Sequence, residues 1–431
     1  MKKYLLTLAL LPALAATAQA QNVHPNHRQL PINVIVGEVE DSLKVYEAMV
    51  ENSPADALAP NAPRFAIVGK NEKFYLGFGG VVKATMNYDW GSVIQNPNEF
   101  GPATIPMPGS SNYNKGNNGW FGISAQQTDL FLNFVALPNN PNKIGFYLNA
   151  TLLGNGYLPQ IRSAYVSYRG FEAGYGFSLF TDLAADPTTI DYDGPNSFTV
   201  VINAKFDYRH NFGKHFGVGI GAEMPMASYT DATHTQTITQ RVPDIPAYLQ
   251  WNFGNNNRIR FSALLRNMQY RDMVTNQNKN LAGWGVQLTG NFNICNKLIG
   301  YYQAAYGKGM TSYFEDLTGG GLDMVPNMAK NGELETVKAW GGYIGLQYNV
   351  CPKAFFTAIY SHLRNYAPKY NNGTTPWDDQ YRYGQYVLGN FFYNINDLFT
   401  WGLEYIWGRR VNMDGLQAHD NRIQTTFQVS F

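Results

Sequence analysis

Charge is scarce in this chain of 431 residues: Asp, Glu, Lys and Arg make up 15% of it, against about 25% in ordinary soluble domains. Acid and base nearly cancel, to a formal +1. No basic face is therefore on offer, which excludes nucleic acid as a partner. Cysteine is limited to Cys295 and Cys351, too few for a disulfide-built scaffold and unmatched to a zinc site. Beyond residue 20 no run of about 18 consecutive apolar residues occurs, so no membrane-spanning helix is expected. The sequence also lacks a G-x-S-x-G elbow and an H-E-x-x-H helix, and its histidines are scattered. Neither catalysis nor a resident metal or other cofactor is expected.

Aromatic residues and glycine take the place of charge, with 29 Tyr, 26 Phe, 8 Trp and 42 Gly. At the start, Lys2 and Lys3 precede an apolar stretch from Leu5 to Ala16 and the small-x-small triplet Ala18-Gln19-Ala20. These features predict a signal peptide over residues 1–20, with Gln21 as the first mature residue. An exported chain that is aromatic-rich and charge-poor suits a transmembrane antiparallel β-barrel, apolar outside and polar within.

Alternation supports that fold. Phe74, Leu76, Phe78, Val82, Ala84, Met86 and Tyr88 share one face of an extended segment, and Lys83, Thr85 and Asn87 lie on the other. The same period of two recurs at Leu130–Ala136, Ile144–Leu152, Phe198–Tyr208, Ile259–Leu265 and Phe399–Trp407. About sixteen strands are predicted, near 74–88, 127–136, 143–153, 160–169, 171–181, 197–208, 215–224, 243–252, 258–270, 282–292, 297–307, 337–349, 354–364, 383–394, 398–409 and 422–431. Every even-numbered strand is followed by a short turn, and longer connections follow the odd ones, as in outer-membrane barrels. The last strand ends on Phe431, which resembles the signal that outer-membrane assembly machinery reads. Cys295 and Cys351 fall in adjacent short turns, either free or joined.

Several segments in order resemble the DcaP-like family of outer-membrane porins. They are Gly174-Tyr175-Gly176-Phe177-Ser178-Leu179-Phe180-Thr181-Asp182 with Asp193-Gly194-Pro195, Pro243-Asp244-Ile245-Pro246-Ala247, Tyr306-Gly307-Lys308-Gly309, Trp401 to Arg410, Asp414-Gly415, and Asn421-Arg422-Ile423-Gln424. The resemblance spans roughly residues 73–431. It implies a homotrimer of sixteen-stranded barrels in outer-membrane lipid that passes small, preferably anionic organic solutes such as dicarboxylates. It also implies a periplasmic N-terminal helical extension. Residues 21–72 fill that place. Within 32–53, Ile32, Val36, Val39, Leu43, Tyr46 and Val50 recur at 4-3-4-3-4 spacing, which fits a short coiled coil or a single helix docked under the barrel.

The barrel proper covers 73–431. Candidate pore-lining and solute-selecting residues follow from which face each strand turns inward. Arg258, Arg260 and Arg266 of the ninth strand, Arg162, Lys205 and Arg422 are expected in the lumen, where guanidinium groups match carboxylates. Asp182, Asp186, Asp191 and Asp193 lie in the third long loop, which is expected to fold inward, and Glu404 faces the same lumen. Pairing of these charges as plain wall ladders is the alternative. Asp191-x-Asp193-Gly194 hints at calcium but lacks the remaining oxygen ligands of a full loop. A closed-lumen adhesin or structural barrel is the competing function.

Overall fold

The structure is a computed structural model that describes residues 32–39, 41–54, 62–113, 119–254, 257–369 and 377–431; the expected signal peptide lies outside them. Sixteen antiparallel strands close on themselves. They are Phe74–Gly91, a second strand broken into Trp120–Ser124 and Asp129–Ala136, then Ile144–Gly154, Leu158–Tyr168, Phe171–Phe177, Ile202–Phe212, Phe216–Glu223 and Ile245–Phe253. The remaining eight are Asn257–Asp272, Gln277–Cys295, Leu298–Lys308, Lys338–Cys351, Ala354–Asn365, Tyr381–Asn394, Phe399–Asn412 and Gln417–Ser430. Closure comes from the sixteenth strand pairing with the first, Ser430 opposite Val81 through Asp420 opposite Gly91. With no free edge, every strand satisfies its backbone within the sheet, which hydrocarbon demands.

Side-chain alternation decides the two faces. In the first strand Tyr75, Lys83, Thr85, Asn87 and Asp89 are buried in the lumen, while Val82, Tyr88 and Trp90 are exposed. Two aromatic belts ring the outside. Phe216, Trp251 and Phe253 stack in series at the short-turn end, and Trp90 with Tyr405 and Trp284 with Tyr306 pair at the long-loop end. Such rings mark the two membrane interfaces. The short turns therefore face the periplasm.

Two expected strands are shorter than the alternation predicts. The fifth ends at Phe177 rather than 181, and the sixth begins at Ile202 rather than 197. Phe198 and Val200 keep the period of two, yet they belong to the third loop and pack inside the barrel with Tyr343, Ile359 and Tyr386. The loop's apolar residues imitate a lipid-facing pattern because both environments exclude water. Cys295 and Cys351 end the tenth and twelfth strands, exposed and free.

The N-terminal segment forms a strand, Asn33–Val36, a helix, Ser42–Asn52, and a second strand, Phe65–Val68. The 4-3 spacing from Ile32 to Val50 is thus divided between two elements. Gly37 separates them at φ 92°, where a Cβ would fall 2.1 Å from the Val68 carbonyl oxygen, so the chain turns there instead of continuing helical. Asp41 caps the helix by accepting from the Leu43 N–H at 2.9 Å. The helix lies within the periplasmic mouth, burying Val45 and Met49 against Tyr75 and Val135 of the lumen wall. Its last residue, Asn52, donates to the Asn133 side chain at 2.7 Å, accepts from Ser167 at 2.7 Å and offers its carbonyl to the Tyr165 hydroxyl at 2.8 Å. Gly145 leaves room for this, since a Cβ there would fall 1.8 Å from Asn52 Oδ1.

Candidate functional site

Three long connections fold into the barrel, and charged wall residues hold each in place. The loop after the first strand is fixed by Arg422. This guanidinium grips Asp89 with two bonds, of 2.9 and 2.7 Å, and donates to the Asn96 and Glu99 carbonyls at 2.6 and 3.2 Å. The loop after the eleventh strand is fixed by Arg266, which pairs with Asp244 and Asp323 at 3.0 Å each and donates to the Gly309 carbonyl at 2.7 Å. The third loop is fixed by Glu404, which accepts from the Ile190 and Asp191 N–H groups at 2.8 and 3.0 Å. Between them these loops bury Phe100, Ile105, Phe180, Phe198, Met310 and Phe314 inside the long-loop half of the lumen.

Arg266 and Arg422 are 0% exposed, and each is bonded to a carboxylate and to loop carbonyls. The expectation that they meet solutes is corrected: both fasten loops. Asp191 likewise accepts from the Phe100 N–H at 3.0 Å and the Tyr386 hydroxyl at 2.9 Å, tying two loops and the wall together. Those bonds occupy the oxygens that the calcium hint required. Asp193 bonds Glu315 of the loop after the eleventh strand, and its carboxyl is pushed well above the usual range by burial and by Glu315 and Glu99. Glu315 is pushed up to about 8 by burial and by Glu99. Asp186, in the third loop with Asp191 and Asp193, is half-buried. Arg162 lies 3.4 Å from Asp129 and beneath the rings of Phe177 and Tyr192.

Below the third loop a cavity of about 550 Å³ opens toward the periplasm, floored by Val50, Glu51, Ser53 and Pro54 of the N-terminal segment. Arg258, Arg260, Lys205, Arg209 and Lys214 border it, against Glu51, Glu172 and Asp182. Lys205 and Arg209 are balanced by Glu172 and Asp207, at 2.7 to 3.3 Å. Arg258 and Arg260 share one carboxylate. Asp182 bonds Arg258, accepts from Thr289 at 2.5 Å and sits 3.7 Å from Arg260. Burial alone would raise the Asp182 carboxyl, but the two guanidinium groups hold it below the ordinary carboxylate range. Arg260 also lies 3.8 Å from the centre of the Tyr248 ring and donates to the Leu179 carbonyl. The Nε–H groups of Arg258 and Arg260 have no hydrogen-bond partner among the described residues. Even with Asp207 counted, the cations bordering the chamber outnumber its carboxylates, so its wall carries more positive than negative charge.

Arg209, Lys214 and Tyr248 were not among the expected site residues. Arg209 continues the lumen-facing series Lys205, Asp207, Arg209, and the sixth strand runs on to Phe212. Ending the predicted strand at 208 placed Arg209 in a turn.

The family model described as the porin subfamily matches residues 142–426. Among solved structures, the outer membrane channel DcaP of Acinetobacter baumannii superposes with a TM-score of 0.70 at 19% identity, over 85% of this chain and 99% of that one. The anion-selective porin from Comamonas acidovorans superposes with a TM-score of 0.52 at 13% identity, over 83% of this chain and 100% of its own. Salmonella typhi OmpF, in complex with daunomycin, gives 0.51 at 12% identity, over 84% of this chain and 99% of its own. At these identities the likeness is one of fold. No curated protein matches the sequence.

Proposed function

The chain belongs to the porin subfamily and lies in the outer membrane, and from that premise we propose that it passes small anionic organic solutes, dicarboxylates first among them, by passive diffusion. The observation that carries the reading is the pair Arg258 and Arg260 sharing the single carboxylate of Asp182 beside open volume. Guanidinium groups that outnumber their carboxylate in a confined space attract and orient carboxylates. We take the working unit to be a homotrimer delivered by the assembly machinery through the C-terminal strand that ends at Phe431. Planar-bilayer recording under a salt gradient tests the reading. An anion-favouring reversal potential is expected, and replacing Arg258 and Arg260 with Ala moves it toward cations and slows succinate flux. Unchanged selectivity in that variant would refute the assignment.

The closed-lumen reading also rests on a specific observation: the loops fill the long-loop half with apolar side chains. Absence of any conductance would favour an adhesin or structural barrel.

A further inference from the structure

Inside the first eight barrel strands every Lys and Arg, namely Lys83, Arg162, Lys205 and Arg209, turns to the lumen. Strands eleven to sixteen differ. Lys308, Lys338, Arg364 and Arg409 take the outward positions of the alternation, on the same face as the exposed Tyr306, Trp340, Tyr360 and Tyr405. The acidic residues of those six strands are Glu404 and Asp420, and both are buried inside. No ion pair to a carboxylate reaches any of the four outward cations among the described residues.

Their height on the wall is regular. Each stands two residues nearer the long loops than an outward ring: Lys308 beyond Tyr306, Lys338 beyond Trp340, Arg364 beyond His362 and Arg409 beyond Trp407. Two residues of strand are about 7 Å, which lifts the cations from the aromatic belt to the level of lipid headgroups. Two of the cations are cross-strand partners, and the other two follow in staggered register on the strands beyond. Lys308 is directly opposite Lys338, Trp340 opposite Arg364, and Gln385 opposite both His362 and Arg409 on its two flanks. Like charges directly opposite destabilise a sheet, and Glu335, the carboxylate that acts on Lys308, is itself bonded to Lys330, which leaves room for a further anion at the Lys308–Lys338 pair.

We propose that this band binds a phosphorylated lipid headgroup of the outer leaflet, with acyl chains laid against the exposed Ile344 and Tyr360 below. Lysine and arginine together suit phosphate oxygens, and the one-sided placement makes the binding local to this half of the wall. The site is distinct from the lumen chamber and does not depend on what the chamber carries.

The test uses the detergent-purified full chain, offered equal amounts of a bisphosphorylated glycolipid and its dephosphorylated form, with retained lipid counted by native mass spectrometry. Retention of the phosphorylated form is expected. The variant K308Q/K338Q/R364Q/R409Q loses it, at about fivefold per cation removed, while heat-modifiable gel mobility reports that the barrel is folded. If the fourfold variant fails to fold, Lys338→Gln alone shows the loss. Equal retention of the two lipids by the unaltered protein overturns the proposal without any variant. Displacement by inorganic phosphate alone would identify a free-anion site instead of a lipid site.

Discussion

At the long-loop end of the lumen, Arg266 and Arg422 are wholly buried and closed on carboxylates and loop carbonyls. Toward the periplasm, Arg258 and Arg260 share Asp182 and border open volume. One residue type on one wall thus does two things. A guanidinium shut among loop acceptors away from open volume is a fastener, and one that borders a cavity and shares its carboxylate with a neighbour is available to solute. Contact with open volume separates the two roles better than position along a strand does.

The comparison breaks hardest at Arg266. Replacing it with Met leaves Asp244 and Asp323 buried without their cation, which costs about 3–5 kcal/mol. Residues 309–337 are then released, and larger conductance steps together with a lowered urea midpoint are expected.

The periplasmic end yields next, at the N-terminal helix. Asn52→Leu strands the Asn133 side-chain oxygen and the Ser167 hydroxyl, a loss of about 1–3 kcal/mol per unsatisfied group. Hydrogen exchange over 42–52 should accelerate, and Gly145→Ala should do the same by pushing Asn52 out. An unchanged exchange pattern in both would show that the helix is held by its apolar face alone.

Asp182→Asn sharpens the contrast in the opposite sense, freeing Arg258 and Arg260 from their shared carboxylate. Its reversal potential should move further toward anions, against the shift expected for the double arginine variant.

The smallest effect concerns pH. Glu315 in the folded protein is raised to about 8 by burial and by Glu99, and its bonded partner Asp193 is raised too. Glu99, Asp191 and Asp316 are the other carboxylates acting on this pair. A carboxyl raised on folding stabilises fully below its unfolded pKa of about 4.3, and that stability is lost as pH rises through about 8. The loop contact is expected to loosen between these limits, read as severalfold faster exchange over 309–320, and Glu315→Gln should flatten the response.

The wall was legible because lipid and water enforce a period of two on every strand. Register followed from it, since Phe74 to Tyr88 alternate outward and inward as their chemistry suggests. The loop core was not legible. Phe198 and Val200 repeat the wall's pattern while facing Tyr343 and Tyr386, and nothing local distinguishes that surrounding from lipid. Arg260 and Arg266 were equally opaque to sequence. They occupy equivalent positions on one strand, and the partners that make Arg266 a fastener, Asp244, Asp323 and the Gly309 carbonyl, come from distant segments of the chain.

The seam of the barrel carries a consequence of its own. The sixteenth strand pairs with the first only from Val81 upward, and Phe431 closes the ladder on Gly80 through bonds of 2.9 Å in both directions. The next stretch of that same edge is taken by Phe65–Val68, paired opposite Tyr75–Phe78. A two-residue slip of the last strand, the smallest that keeps its faces correct, would drive Phe431 into the place of Phe65. The strand Phe65–Val68 and the sixteenth strand therefore act as a gauge, abutting along the first strand so that closure has one register at which both fit.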